Sequence, residues 1–179
     1  KLASISEPGI SDKIFNDILA ILRFMGRTFE ETAKTFAKLD EEDLRNVFLA
    51  ALNGYFEGEA SGEIFRKNGK TDICIKEKEK AAFVAECKIW HGQKAVVNAL
   101  DQLLGYLTWR DCKNSLIIFN KENASFSKIL TDLPNAIKQH PSFVREPNKL
   151  EHAGEWRFTI NHKDDPSREI TLHVFAFDL

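Results

Sequence analysis

The chain has 179 residues, with 25 Lys and Arg against 27 Asp and Glu, for a net charge of −2. Its 43% hydrophobic and 29% charged content is that of a folded globular domain with a real core, which excludes a disordered chain and a strongly basic nucleic-acid-coating one. No apolar run approaches the roughly 20 residues that cross a bilayer, and three cysteines without a CxxC pair argue against a disulfide framework or thiolate zinc site and fit a reducing, cytoplasmic setting.

Ser11 and Asp12 begin a helical pattern, with Ile14, Phe15, Ile18, Leu19, Ile21 and Leu22 at helical spacing until Gly26, where a break or kink is expected. A second helical stretch runs through Phe29, Ala33 and Phe36. Asp40 reads as an N-cap, followed by acidic residues where a helix dipole favours them, and Leu44, Val47, Phe48, Ala51, Leu52 and Tyr55 line one face of the helix that ends near Gly54.

The pattern then changes. Residues 59–66 read as a short strand, Asn68-Gly69 as a tight turn, 71–76 as a strand, 76–80 as a charged turn and 81–90 as a central strand. A helix is expected over 93–110, a buried strand over 115–119, and a helix over 123–139 with Pro134 inside it. Residues 140–154 read as irregular, and strands at 155–162 and 169–177, joined through Asp164-Asp165-Pro166-Ser167, close the chain. The result is one α/β domain with an N-terminal helical addition. The chain opens on Lys1 with no signal-peptide pattern, as expected of a domain excised from a longer protein.

Charge is uneven. Residues 64–94 carry eight basic and four acidic side chains, while residues 1–63 carry seven and twelve. The basic stretch could be a surface for an anionic ligand or simply a solvated hairpin. The five histidines show no HxH or HExxH spacing, and no phosphate-binding glycine loop or GxSxG is present, which removes histidine-zinc, P-loop and α/β-hydrolase chemistry. Trp90, Trp109 and Trp156 read as core or interface residues.

The informative residues are Gly69-Lys70-Thr71-Asp72-Ile73 and Ala85-Glu86-Cys87-Lys88. Glu86 and Lys88 are two apart on a strand and share a face, while Cys87 points to the other. Asp72, on the preceding strand of a short hairpin, can lie beside them. Charges in a central strand are costly unless paired or metal-bound, so this is either a buried ion pair or a site.

An acidic helix start, a carboxylate on one strand, ExK on the next and a following helix together resemble the PD-(D/E)xK, or restriction-endonuclease-like, nuclease superfamily over roughly residues 40–120. Thr71 stands where the family has its Pro. Gln102 and Tyr106, one helical turn apart, resemble the QxxxY feature of the RecB-like branch. The resemblance implies an α-β-β-β-α-β mixed sheet flanked by helices over 39–179, with a helical extension over 1–38 and a C-terminal β-hairpin.

It also implies a metal-dependent endonuclease acting on DNA, of the kind found as effector domains of bacterial defence or restriction proteins. Asp72, Glu86 and the Cys87 backbone carbonyl would hold Mg²⁺ or Mn²⁺, with Lys88 orienting or deprotonating water or steadying phosphate. Attack on phosphorus would leave 5′-phosphate and 3′-hydroxyl ends. The family often adds a Glu from the first core helix. Glu41 and Glu42 are the candidates there, unless they only cap the helix, and about 100° per residue turns Glu41 toward the sheet and Glu42 toward solvent; Glu63 could instead reach the site from the first strand. Gln102 would support the site, and Lys70, Lys94, Tyr106 and Arg110 would contact substrate. RNA as substrate, a homodimer, and a catalytically silent module that binds nucleic acid or a partner protein are the alternatives.

Overall fold

The computed structural model describes residues 10–56, 64–68, 71–77, 80–107, 113–121, 125–148, 150 and 152–179. Helices α1 (Asp12–Glu31), α2 (Ala33–Phe36) and α3 (Glu41–Phe56) precede strands β1 (Ile64–Asn68), β2 (Thr71–Glu77) and β3 (Lys80–Ile89). Helix α4 (Gln93–Tyr106), β4 (Lys113–Asn120), α5 (Phe126–Lys138), β5 (Phe143–Arg145), β6 (Glu155–Asn161) and β7 (Glu169–Asp178) follow.

The strands form one mixed sheet in the order β1-β2-β3-β4-β7-β6-β5. β3, β4 and β7 run parallel in its centre, where both faces are covered and the sequences are nearly all apolar, while the hairpins β1–β2–β3 and β5–β6–β7 extend it antiparallel on either side. One face packs on α1 and α3 through Phe83, Ala85, Cys87, Phe119, Phe175 and Phe177. The other packs on α4 and α5 through Val84, Leu116, Ile118, Leu172 and Val174. Odd and even positions of β3 therefore serve different layers, as the two-residue period of a strand requires.

Two places depart in kind from the sequence expectation, Gly26 and the stretch read as irregular. α1 runs unbroken through Gly26, and the ring of Phe177 lies where a Cβ would stand. Glycine here serves close helix–sheet approach rather than a kink. As expected, α5 runs with Pro134 inside it, at a cost of about 3 kcal/mol, held by burial of Ile129, Leu133, Ala136 and Ile137. Within the stretch read as irregular, Phe143–Arg145 forms β5 on the edge of the sheet.

α1 shares the core of the sheet. Beyond its apolar stripe, Arg23 makes a paired contact with Glu155 of β6, at 2.7 and 2.8 Å, and Glu155 accepts from His173 Nε2 of β7 at 2.9 Å. Burial would raise the Glu155 pKa, but the bonds from His173 and Arg23 outweigh it and bring it down to about 2. Burial pushes the His173 pKa down, so the ring is neutral and donates through Nε2.

Candidate active site

The β2–β3 register pairs Ile73 with Ala85, which sets Asp72 opposite Glu86 with both side chains on one face. Here the strands are clasped by side chains. The Asp72 backbone N–H donates to Glu86 Oε2 at 3.3 Å, and the Cys87 N–H donates to Asp72 Oδ2 at 2.9 Å. Each carboxylate thus accepts a backbone proton from the facing strand. Glu86 is only 3% exposed. Burial, then the neighbouring Asp72 carboxylate, raises its pKa from 4.5 to about 8, against a smaller opposing pull from Lys88.

Lys88 lies one strand period beyond Glu86, and its Nζ is 3.5 Å from Glu41 Oε1. The other oxygen of Glu41 accepts the Ile89 N–H at 3.1 Å, so one carboxylate holds both the lysine and the strand end that carries it. Glu41 is placed by the start of α3, where Asp40 caps the helix by accepting the Asp43 N–H at 2.8 Å. Burial would lower the Lys88 pKa, but Glu41, Glu86 and Asp72 together raise it, so the ammonium keeps its charge at neutral pH.

A fifth side chain, not anticipated from the sequence, completes the cluster. Arg45, one turn beyond Glu41, is 6% exposed and sets Nη1 3.5 Å from Asp72 Oδ1. The same nitrogen is 3.5 Å from Glu42 Oε1, and Nη2 donates to Asn46 Oδ1 at 3.0 Å. The signal was present: Leu44, Arg45, Phe48 and Leu52 form the buried stripe of α3, and a cation within such a stripe needs a buried anion.

Glu41 is the acidic residue of α3 that reaches the site, while Glu42 points outward with its side chain 67% exposed. Cys87 sends its thiol into the opposite layer, where burial pushes its pKa up, and meets the site through its backbone. Cys74 is also buried. On α4, Gln102 and Lys94 are exposed and Tyr106 is half-buried. Lys70, Arg110, Glu63 and Gly69 lie outside the described residues.

Two carboxylates and a backbone carbonyl are hard oxygen donors of the kind Mg²⁺ and Mn²⁺ take. Asp72 and Glu86 fit such an ion chemically, since a cation there would offset both the burial and the Asp72 charge that raise the Glu86 pKa. Among the described residues, no three His, Cys, Asp or Glu side chains already converge as a ready cation site. No helix among them is long and apolar enough to cross a membrane. Comparison with family models, curated proteins and solved structures finds no match, so the site is read from its own geometry.

Proposed function

We propose that the chain is a metal-dependent nuclease of the restriction-endonuclease-like class that hydrolyses phosphodiester bonds of DNA. The observation that carries this reading is the pairing of Asp72 with Glu86 across β2–β3, with Lys88 held beside them by Glu41. The element order from α3 through β1, β2, β3 and α4 to β4 agrees with the α-β-β-β-α-β core of that class.

Asp72, Glu86 and the Cys87 carbonyl would hold Mg²⁺ or Mn²⁺, which when bound lowers the pKa of a coordinated water and offsets charge on the phosphate. Lys88, kept cationic by three carboxylates, balances charge on the phosphate and orients water rather than taking a proton. Glu41 keeps Lys88 in place and braces the end of β3.

A second reading, a silent module of the same fold that binds nucleic acid or a partner protein, is favoured by one contact: the Arg45 guanidinium already neutralises Asp72. One assay separates the two. The chain is incubated with supercoiled plasmid, single-stranded DNA and RNA in Mg²⁺, Mn²⁺ or EDTA, beside Asp72→Ala and Lys88→Ala. Metal-dependent cutting of DNA lost in both variants supports the nuclease. A folded chain that neither cuts nor binds Mn²⁺ by calorimetry supports the silent module.

A further inference from the structure

Trp90 continues the line of Glu86 and Lys88. It sits one strand period past Lys88 on the same face, about 6.6 Å along the chain, and its N–H donates to the Phe119 carbonyl at 2.7 Å, which carries the β3–β4 pairing onto it. One part of its indole packs on the α4–α5 layer while the rest remains accessible. There it borders an open cleft of about 310 Å³ formed with Gly92, Gln93, Lys128, Ile129 and Asp132.

The wall chemistry is specific. The half-buried Trp90 indole and the edge of the otherwise buried Ile129 give the cleft an apolar side. Lys128, exposed on α5, offers a cation, and Asp132, one turn later, offers an acceptor. Gln93 opens α4 with an amide that can donate and accept. Gly92, at φ 95°, turns the chain into α4 and leaves the cleft floor without a side chain. A planar heterocycle with donor edges, tethered to a phosphate, matches all of these: stacking on the indole, edge bonds to Gln93 and Asp132, and phosphate near Lys128.

We propose that this cleft binds one unpaired nucleobase of a DNA strand whose neighbouring phosphate lies at Lys88. The inference deepens the nuclease reading by naming its substrate class, a strand with an unpaired nucleotide rather than an intact duplex, because a paired base has both faces and its Watson–Crick edge occupied.

The test is fluorescence anisotropy in EDTA with the whole chain. Its probes are a short labelled single strand, the blunt duplex of the same sequence and an all-abasic strand of the same length. The wild type should bind the base-bearing strand about tenfold more tightly than either of the others. Trp90→Ala should bind base-bearing and abasic strands alike, and Trp90→Phe should recover most of the preference. Should Trp90→Ala fail to fold, Trp90→Phe together with Gln93→Ala, which removes an edge bond without changing charge and should reduce the preference while leaving abasic binding unchanged, carries the test.

Equal binding of abasic and base-bearing strands by the wild type overturns the cleft, as does a preference untouched by the cleft variants. If the Trp90-dependent preference is present and nothing is cut with Mg²⁺ or Mn²⁺, the cleft stands and hydrolysis falls. If metal-dependent cutting accompanies equal binding, the nuclease stands and the cleft falls.

Discussion

The Glu86 carboxylate accepts the Asp72 backbone N–H, and the Asp72 carboxylate accepts the N–H of Cys87, the residue after Glu86. Burial first, and the Asp72 carboxylate beside it second, disfavour the ionised form of Glu86. A carboxyl with a folded pKa of about 8 and an ordinary value of 4.5 binds more protons folded than unfolded across that range. The contribution of Glu86 to stability without metal therefore falls as pH rises from about 4.5 to about 8 and levels beyond. Glu86→Gln imitates the protonated form. Its melting temperature should exceed the wild type's at pH 8 and match it near pH 5. Mn²⁺ should raise the wild-type value and leave the variant's unchanged.

Lys88 and Glu41 act as a pair, and the carboxylate's second bond is to the strand itself. Lys88→Ala should lower DNA cleavage by about a hundredfold or more while preserving Mn²⁺ binding by calorimetry. Glu41→Gln keeps an acceptor for Ile89 but removes the charge facing Lys88. Its loss should be smaller, about tenfold, and its pH–rate profile should shift on the alkaline side as Lys88 loses a raising partner.

Arg45 competes with any cation for Asp72. Removing it leaves Asp72 unneutralised, so Arg45→Gln should tighten Mn²⁺ binding severalfold by calorimetry. The same change should lower thermal stability by about 3 kcal/mol, because the Asp72 and Glu42 carboxylates lose a buried partner. Unchanged affinity would show that Arg45 stands clear of the ion.

Gly26 lies under the Phe177 ring. Alanine is ordinarily the better helix residue by about 1 kcal/mol, yet Gly26→Ala should destabilise by about 1–3 kcal/mol from overpacking. Chemical denaturation should show it, and Gly26→Ala with Phe177→Leu should recover part of the loss.

The Arg23–Glu155–His173 network ties α1 to the sheet. Glu155 titrates near 2 when folded and 4.5 when not, so its contribution is complete above pH 4.5 and lost as pH falls toward 2. Buried neutral His173 adds acid sensitivity of the same sign at somewhat higher pH. Glu155→Gln should cost about 3–5 kcal/mol at pH 7 and flatten the acid limb of the stability curve, measured by urea unfolding at several pH values.

Most of the element order was legible in the amino-acid sequence, because each long element carries its own period: helical for Phe15, Ile18 and Leu22, alternating for the ends of the hairpins, continuously apolar for Leu116–Phe119. So were the sharing of one face by Glu86 and Lys88 and the inward turn of Glu41, since both follow from strand and helix geometry alone. The tertiary structure decided what local periodicity cannot carry. It set β7 beside β4, brought Phe177 onto Gly26, folded Phe143–Arg145 onto the sheet edge and placed Arg45 against Asp72. Each of these depends on a partner far away in the chain. A glycine marks a kink or a close approach with the same letter, and a buried arginine is explained only when its carboxylate arrives.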